Sequence, residues 1–315
     1  MASSQLEMVL VNIRLAARDT NLYTFETCDG GALPPTAPGA HVTLHLPNGL
    51  ERQYSLVEAD AHPTSYTVGV KRDPASRGGS AWIHDHLKVG MRVTVDQARN
   101  NFPLNEDAER SALFAGGIGI TPIFSMATRL AALGRTFDLH YSCRTRADAA
   151  FLRELGDKAN VHLHIDDEQD GRFLPIADLV AAAPQGAHLY CCGPTPMLAA
   201  FEAAAVGRPA EEVHVEYFTQ QHEAATSGGF TVVLARSQRE FLVPDGKTIL
   251  QTLQDAGVDA AHSCEEGICG ACETRVIEGV ADHRDSVLSQ AERSAGKTMM
   301  ICCSGAISSK LILDL

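Results

Sequence analysis

Four cysteines near the end of the chain have the spacing of metal ligands. Cys264, Cys269 and Cys272 form the run C-x4-C-x2-C, and Cys302 follows after a further 29 residues. Plant-type [2Fe–2S] clusters are held by four thiolates with this spacing, whereas structural zinc sites favour two matched pairs of ligands. The spacing therefore predicts a [2Fe–2S] cluster that passes single electrons, in preference to zinc or to four packed cysteines.

The spacing alone does not decide whether Cys302 or Cys303 is the fourth ligand, because the two are neighbours. Gly267 and Gly270 suit a loop whose backbone must approach the cluster sulfurs closely. The nine cysteines of the chain are an odd number, which is typical of a reducing compartment and not of a disulfide framework.

Two glycine turns follow apolar segments that read as strands and precede segments that read as helices. At the carboxyl edge of a parallel sheet, such turns let backbone amides bind a nucleotide pyrophosphate. A turn without a ligand is the alternative, because such turns are common in α/β proteins. No acidic residue lies about 20 positions beyond the first turn to mark a ribose, and Arg144 suits a phosphate or an open surface equally. The residues concerned are Gly116, Gly117, Gly119 and Thr121 in the first turn, and Cys192, Gly193 and Pro194 in the second.

A third polar segment, RQYS, lies on a predicted strand nearer the amino terminus. An arginine offers forked donors to a phosphate, and tyrosine and serine can bond a flavin. A polar strand edge without a cofactor explains these residues as well. The candidates are Arg52, Gln53, Tyr54 and Ser55, followed by Val70, Lys71, Arg72, Gly78, Gly79 and Ser80.

The pattern of elements divides the chain into three blocks. Residues 1–107 contain short alternating strands separated by turns, which predicts an antiparallel β-barrel. Residues 108–220 alternate strands with helices, including a helix over 147–159, which predicts a doubly wound parallel sheet. Residues 219–228 read as a polar linker, and residues 228–315 as a small α+β unit. The fold class is therefore multi-domain.

The composition excludes several classes of protein. A net charge of −13 argues against a nucleic-acid binder, which needs a basic face. It favours solubility or an acidic docking face for a basic partner. No apolar run is long enough for a membrane helix, and the first residues lack the pattern of a signal peptide, so we expect a cytoplasmic protein.

Taken together, the segments resemble the ferredoxin–NADP reductase superfamily, and more closely the phthalate dioxygenase reductase family, which includes vanillate O-demethylase reductases. The resemblance covers essentially the whole chain. The matching segments are RQYS at 52–55, GGS at 78–80, GGIGITP at 116–122, CGP at 192–194, VHVEYF at 213–218, CEEGICGACETRVIEG at 264–279, DHRDSVLS at 282–289 and CCSGA at 302–306.

The resemblance implies an FMN-binding barrel, an NAD(P)H-binding α/β domain and a β-grasp ferredoxin domain. It favours Cys302 as the fourth ligand and puts Thr121 near the flavin ring. Cys192 would lie where nicotinamide meets flavin, and Phe218 would cap the flavin with Glu216 nearby. Gly305 replaces an arginine of the family, which puts any docking role of that arginine in doubt.

The implied function is electron transfer from NAD(P)H through FMN and [2Fe–2S] to a Rieske-type terminal oxygenase or O-demethylase of aromatic compounds. NADH is preferred over NADPH only through the resemblance, and we expect a monomer. Two alternatives stay open: a stand-alone NADH diaphorase and a redox-sensing iron–sulfur regulator. The second would need no complete hydride path.

Overall fold

The computed structural model describes residues 5–74, 78–156 and 158–315, which form two compact units. The first unit ends at Glu216 and contains two sheets. The second unit begins at Tyr217 and contains the four-cysteine loop. The first unit contains two hydrophobic core clusters, and the second unit contains one.

The first sheet of the first unit has six strands, and all its pairings are antiparallel. The strand order is β4-β3-β6-β1-β2-β5. Its two edge strands approach each other through a bridge between Leu56 and Val68. One helix, α1 (Gly79–His86), follows the fifth strand. The strands are β1 (Gln5–Ala17), β2 (Thr20–Thr27), β3 (His41–His45), β4 (Glu51–Ser55), β5 (Tyr66–Lys71) and β6 (Arg92–Asp96).

The second sheet of the first unit has five strands, and all its pairings are parallel. The strand order is β11-β10-β7-β8-β9, so β7, which leads into the first glycine turn, lies at the centre. The strands are β7 (Arg110–Gly116), β8 (Thr136–Cys143), β9 (Val161–Ile165), β10 (His188–Cys192) and β11 (Val213–Glu216). The helices are α2 (Ile120–Ala132), α3 (Leu152–Leu155), α4 (Ile176–Ala182) and α5 (Thr195–Ala204).

Packing explains why the central strand β7 is apolar from Ala112 onwards. Helix α2 buries Ile123, Met126 and Leu130 in the same core as Leu113 and Ala115 of β7. These helix positions recur at the spacing of one helical face, and a strand covered on both sides needs no polar face.

The predicted helix over 147–159 is wrong in its extent. The segment contains a 3-10 turn at Arg146–Asp148 and only the four-residue helix α3. Phe151 interrupts the helical pattern with a φ of 62°, and its ring stacks on Phe124 at 4.3 Å. Tertiary stacking therefore overrides the local helix propensity. Residue 157 lies outside the described residues.

The second unit contains a mixed five-stranded sheet in the order β13-β12-β18-β14-β16 and a small two-stranded sheet, β15-β17. The middle pair, β12 with β18, is parallel, and the other pairs are antiparallel. The strands are β12 (Phe230–Leu234), β13 (Arg239–Val243), β14 (Glu273–Glu278), β15 (Ala281–Asp282), β16 (Thr298–Met300), β17 (Gly305–Ala306) and β18 (Lys310–Leu313). The helices are α6 (Ile249–Asp255) and α7 (Gln290–Ala295).

Part of the segment interpreted as a linker is bound to the second unit. The amide of Ala225 donates to the carbonyl of Cys303 at 2.7 Å, and Gly228 donates to Asp245 at 2.9 Å. A Cβ at Gly305 would lie 2.8 Å from the Cβ of Ala225, so the chain here has room only for glycine. We call residues 224–228 the anchoring segment.

Among the described residues, no helix combines the length and the apolar character that crossing a membrane requires.

Candidate functional site

The cysteine loop brings its thiols together in two pairs. We call residues 264–272 the cluster loop. The Cys264 thiol is hydrogen-bonded to Cys269, and the Cys272 thiol to Cys302. Cys269, Cys272 and Cys302 are buried, and Cys264 is half-buried. Two thiols for each of two irons is the donor set that a [2Fe–2S] cluster needs, so these residues fit that group.

Backbone amides of the cluster loop point at the sulfurs. The amide of Glu266 donates to Sγ of Cys264 at 3.3 Å, and that of Ala271 donates to Sγ of Cys269 at 3.5 Å. The hydrogen bond from Cys269, aided by the amides of Glu266, Ile268 and Cys269, lowers the pKa of Cys264 to about 6. The bond to Cys264 and burial raise the pKa of Cys269, so the loop favours thiolate, the ligating form, at Cys264.

No group of three or more His, Cys, Asp or Glu side chains within residues 5–74, 78–156 and 158–315 is placed to hold one metal ion together. The paired arrangement of the four cysteines is thus distinct from a mononuclear centre.

Cys303 is hydrogen-bonded to Cys302 through its thiol, but its other contacts differ. Its thiol is fully buried and lies 3.8 Å from the carbonyl oxygen of Met300. It also packs against the cluster loop, because a Cβ at Gly267 would lie 2.5 Å from its Sγ. Gly267 has a φ of 69°, so both its conformation and this contact require glycine.

The two glycine turns lie on neighbouring parallel strands and contact each other. The first turn connects β7 to α2, and the second connects β10 to α5. A Cβ at Gly119 would lie 2.2 Å from the carbonyl oxygen of Cys192, and one at Gly116 would lie 2.6 Å from Cδ of Pro194. A Cβ at Gly193 would lie 3.1 Å from Cα of Gly116. The turns thus form one backbone surface at the carboxyl edge of the sheet.

A buried acid accompanies the second turn. Cys192 lies beside Glu216 in the register of β10 with β11, and its thiol is hydrogen-bonded to the Glu216 carboxyl group. Burial raises the pKa of Glu216 to about 8, although the hydrogen bond from Cys192 opposes this. Its Oε2 atom is buried and has no hydrogen-bond partner among the described residues. Burial also raises the pKa of Cys192 well above its ordinary value, so both groups are neutral near pH 7.

The polar strand β4 carries four of the residues predicted for a flavin, Arg52, Gln53, Tyr54 and Ser55. Arg52 lies against the start of α1, because a Cβ at Gly79 would lie 2.5 Å from its Nε. Burial raises the pKa of Tyr54. The Ser55 hydroxyl is buried and has no hydrogen-bond partner among the described residues. The orphaned Ser55 hydroxyl fits the polar edge of a flavin, and the close approach of Arg52 to Gly79 fits a phosphate.

Strand β5, which a bridge joins to the end of β4, meets the first glycine turn. A Cβ at Gly69 of β5 would lie 2.7 Å from Cγ2 of Thr121, whose hydroxyl donates to the carbonyl of Ile118 at 3.0 Å. Strand β5 thus brings the residues beside it close to the start of α2. The two sheets of the first unit meet at this point.

The remaining predicted flavin residues have other contacts. The carbonyl of Val70 accepts from His84 at 2.9 Å, and the Ser80 hydroxyl accepts from the amide of Asp73 at 3.2 Å. Arg72 is paired with Asp85, so a phosphate would compete with that carboxylate. Gln53, on β4, is half-buried, Lys71 is exposed, and Gly78 precedes α1 with a φ of 89°. Phe218 lies in the second unit with 38% of its surface exposed.

An acidic residue missed by the sequence analysis lies at the end of β9. Ser142, near the end of β8, donates a hydrogen bond to Asp166 at 3.2 Å. Arg144 holds the following loop through its carbonyl, which accepts from Asp167 at 3.1 Å, while Arg146 is paired with Glu168. The signal available in the sequence was the acidic run that follows the strand VHLHI.

Comparisons with known proteins agree with this arrangement. The 2Fe-2S iron-sulfur cluster binding domain family matches residues 232–306. The phenoxybenzoate dioxygenase subunit beta of Ectopseudomonas oleovorans is 50% identical over 99% of this chain and 100% of its own length. The vanillate O-demethylase oxidoreductase of Pseudomonas sp. (strain HR199 / DSM 7063) is 45% identical over 98% of this chain and 100% of its own length.

The solved structure of phthalate dioxygenase reductase, described as modular for electron transfer from pyridine nucleotides to [2Fe-2S], is similar to the whole chain. It has 37% identity and a TM-score of 0.72, with 99% of this chain and 98% of that chain covered. The resemblance predicted from the motifs is therefore confirmed over the full length. This chain belongs to the phthalate dioxygenase reductase family of flavin and iron–sulfur oxidoreductases.

Proposed function

We propose that this protein is the reductase component of a two-component oxygenase, which carries electrons from NADH through FMN and a [2Fe–2S] cluster to a Rieske-type terminal oxygenase acting on aromatic compounds. The observation that carries the proposal is the contact of Gly69 with Thr121, which brings the polar edge of one sheet to the nucleotide turn of the other. The same chain holds two pairs of cysteines.

The proposed relay has three sites, one each for the flavin, the nucleotide and the cluster. A flavin in the antiparallel barrel would be held by β4 and by the start of α1, through Arg52, Tyr54, Ser55, Gly79 and Ser80. When bound, the flavin accepts a hydride from the nicotinamide and releases electrons singly, which suits a one-electron cluster. The cluster ligands would be Cys264, Cys269, Cys272 and Cys302.

At the nucleotide site, the chain's own residues bind and orient. The backbone of the two glycine turns would receive the pyrophosphate at the start of α2. Cys192 and Glu216 are buried and uncharged near pH 7. They would border the nicotinamide without a charge that competes with the ring, so we assign no general acid or base.

The preference for NADH rests on Asp166. In nucleotide-binding sheets, an acid at the end of the second strand bonds the ribose hydroxyls. Here the second strand, β8, ends without an acid, but its Ser142 bonds the Asp166 carboxylate from the next strand. A carboxylate at this position accepts hydrogen bonds from an NADH ribose and repels the 2′-phosphate of NADPH.

The finer parts of the proposal follow the family resemblance. FMN in place of FAD can be tested by the mass of the extracted flavin. We also propose a monomer in the cytoplasm, and the cytoplasmic location agrees with nine cysteines that form no disulfide. The net charge of −13 would favour an oxygenase with a basic docking face.

The test separates the two steps of the relay. Cys269→Ser should keep NADH–ferricyanide activity, because that acceptor takes electrons from the flavin, and should abolish reduction of cytochrome c through the cluster. Cys28→Ser, at an exposed cysteine outside the cluster loop, is the matched control and should keep both activities.

Equal loss of both activities in Cys269→Ser would contradict the relay, as would full reduction of cytochrome c. Negligible steady-state oxidation of NADH by the wild type would favour a redox sensor. Turnover that no oxygenase component stimulates would favour a stand-alone diaphorase.

A further inference from the structure

We propose that Asp285 is a positioning residue of the iron–sulfur centre, whose buried carboxylate holds the cluster loop in place and lowers the reduction potential of the cluster. This inference rests on the proposed function, because it requires a cluster at the four cysteines. It concerns a residue outside the ligand set.

Asp285 is fully buried against the cluster loop. A Cβ at Gly267 would lie 3.1 Å from Cα of Asp285 and 3.4 Å from its Cβ. The amide of the next residue, Ser286, donates to the carbonyl of Gly267 at 2.8 Å. The segment around Asp285 therefore lies against the part of the loop between the first two cysteines.

The carboxylate also shapes its own segment. Its Oδ2 atom accepts from the amide of Val287 at 3.1 Å and from that of Leu288 at 2.8 Å. These two bonds turn the chain, and the turn leads into α7, which begins with a capping box of Ser289 and Glu292. Removal of the carboxylate would leave buried amides unpaired beneath the cluster loop.

Two basic side chains lie near the carboxylate, but neither forms a hydrogen bond with it. Nδ1 of His283 lies 3.5 Å from Oδ1 of Asp285, and a terminal nitrogen of Arg293 lies 3.7 Å from Oδ2. The same arginine donates to the backbone carbonyl of Asp285. Oδ1 has no hydrogen-bond partner among the described residues.

This arrangement has an electrostatic consequence. Reduction adds an electron to the cluster, and a carboxylate in a region of low dielectric opposes that added charge. Arg293 acts in the opposite sense, since its positive charge favours the reduced cluster. The pair therefore predicts shifts of opposite sign when each charge is removed.

The experiment uses the full-length protein with its cofactors. The midpoint potential of the cluster is measured by titration with dithionite and mediators, followed by the EPR signal of the reduced cluster and by iron content. Asp285→Asn keeps the side-chain shape and one acceptor oxygen but removes the charge. Glu240→Gln is the matched control, on the edge strand β13 at the other side of the sheet from β16.

We expect Asp285→Asn to raise the potential, with up to about a tenfold change in the equilibrium for electron transfer to the cluster, which is about 59 mV for a one-electron centre. Arg293→Gln should lower the potential. Glu240→Gln should leave it unchanged, and iron content should match the wild type in all three variants.

An Asp285→Asn potential equal to that of the control would overturn the proposal. Shifts of the same sign in Asp285→Asn and Arg293→Gln would do so as well, since they would indicate a general disturbance. If Asp285→Asn binds no iron, Arg293→Gln decides alone, and an unmoved potential or a second loss of iron overturns the electrostatic role. Because dithionite supplies the electrons, a failure of NADH oxidation would count only against the proposed function.

Discussion

At the scale of single residues, the proposed preference for NADH rests on Asp166. We predict that Asp166→Asn raises the ratio of kcat/KM for NADPH to that for NADH by about tenfold, about 1.4 kcal/mol, because the repulsion of the 2′-phosphate is removed. The asparagine can still bond Ser142 and a ribose hydroxyl. The measurement is steady-state ferricyanide reduction with each nucleotide.

The control for this prediction is Asp170→Asn, in the same loop. Asp170 has 96% of its side chain exposed and a left-handed backbone that asparagine tolerates. A ratio that changes equally in both variants would indicate a general charge effect on nucleotide encounter, and Asp166 would then have no special role.

Also at this scale, Glu216 makes stability depend on pH. Its pKa in the folded protein is about 8 against an ordinary value of 4.5, so between these pH values the unfolded chain loses its proton first. Stability is therefore fully present below about pH 4.5 and falls as the pH rises towards 8. Glu216→Gln stays neutral and lacks this fall.

We expect urea denaturation of the wild type and Glu216→Gln to diverge between pH 5 and pH 8, by up to about 1.4 kcal/mol per pH unit. Above about pH 8 the difference should stay constant. Parallel stability curves across this range would show that the Glu216 carboxyl ionises normally in the folded protein.

At the scale of elements, the contact between the two glycine turns holds the nucleotide edge together. We predict that Gly119→Ala lowers the free energy of unfolding of the first unit by about 3 kcal/mol, because the new Cβ overlaps the backbone of Cys192. It should also weaken NADH binding. The iron content should not change, because the cluster loop belongs to the second unit.

Gly134→Ala is the matched control. Gly134 has a φ of 66° and nothing within 4 Å of its Cβ position, so only backbone strain of about 1–2 kcal/mol is expected, with normal NADH affinity. Equal NADH affinities in the two variants would contradict a role for the contact between the turns.

At the scale of the whole molecule, the second unit begins at Tyr217, before the predicted α+β unit of residues 228–315. The anchoring segment makes hydrogen bonds through Ala225, Thr226 and Gly228 to the body of that unit. We predict that a fragment of residues 221–315 is more stable than one of residues 229–315 by about 2–4 kcal/mol, for three lost hydrogen bonds. Thermal unfolding of both cluster-loaded fragments measures the difference.

A fragment of residues 217–315 is the control and should match residues 221–315. If the fragment of residues 229–315 is equally stable, the anchoring segment contributes nothing and behaves as a linker. The contact of Ala225 with Gly305 also leaves no room for the arginine that the resemblance implies at that position. An arginine there would displace the anchoring segment.

Local patterns were sufficient for most elements and for the cysteine loop. The alternation of β8 and the apolar run of β7 gave their strands, because burial repeats with the period of the element. The predicted helix over 147–159 was wrong in its extent. Its sequence pattern is helical, but stacking of Phe151 on Phe124 accompanies a left-handed backbone at Phe151 that interrupts the helix.

The sequence by itself determined the family, the order of the predicted sites and the cysteine spacing that predicts the cluster, because each depends on residue types at fixed spacings. Only the tertiary structure decided which distant residues act together. It paired Cys264 with Cys269 and Cys272 with Cys302, joined Ser142 to Asp166, and brought Asp285 beneath the cluster loop. Apart from the pair within the cluster loop, these contacts join segments that lie on different strands and loops, and no local pattern encodes which of them will meet.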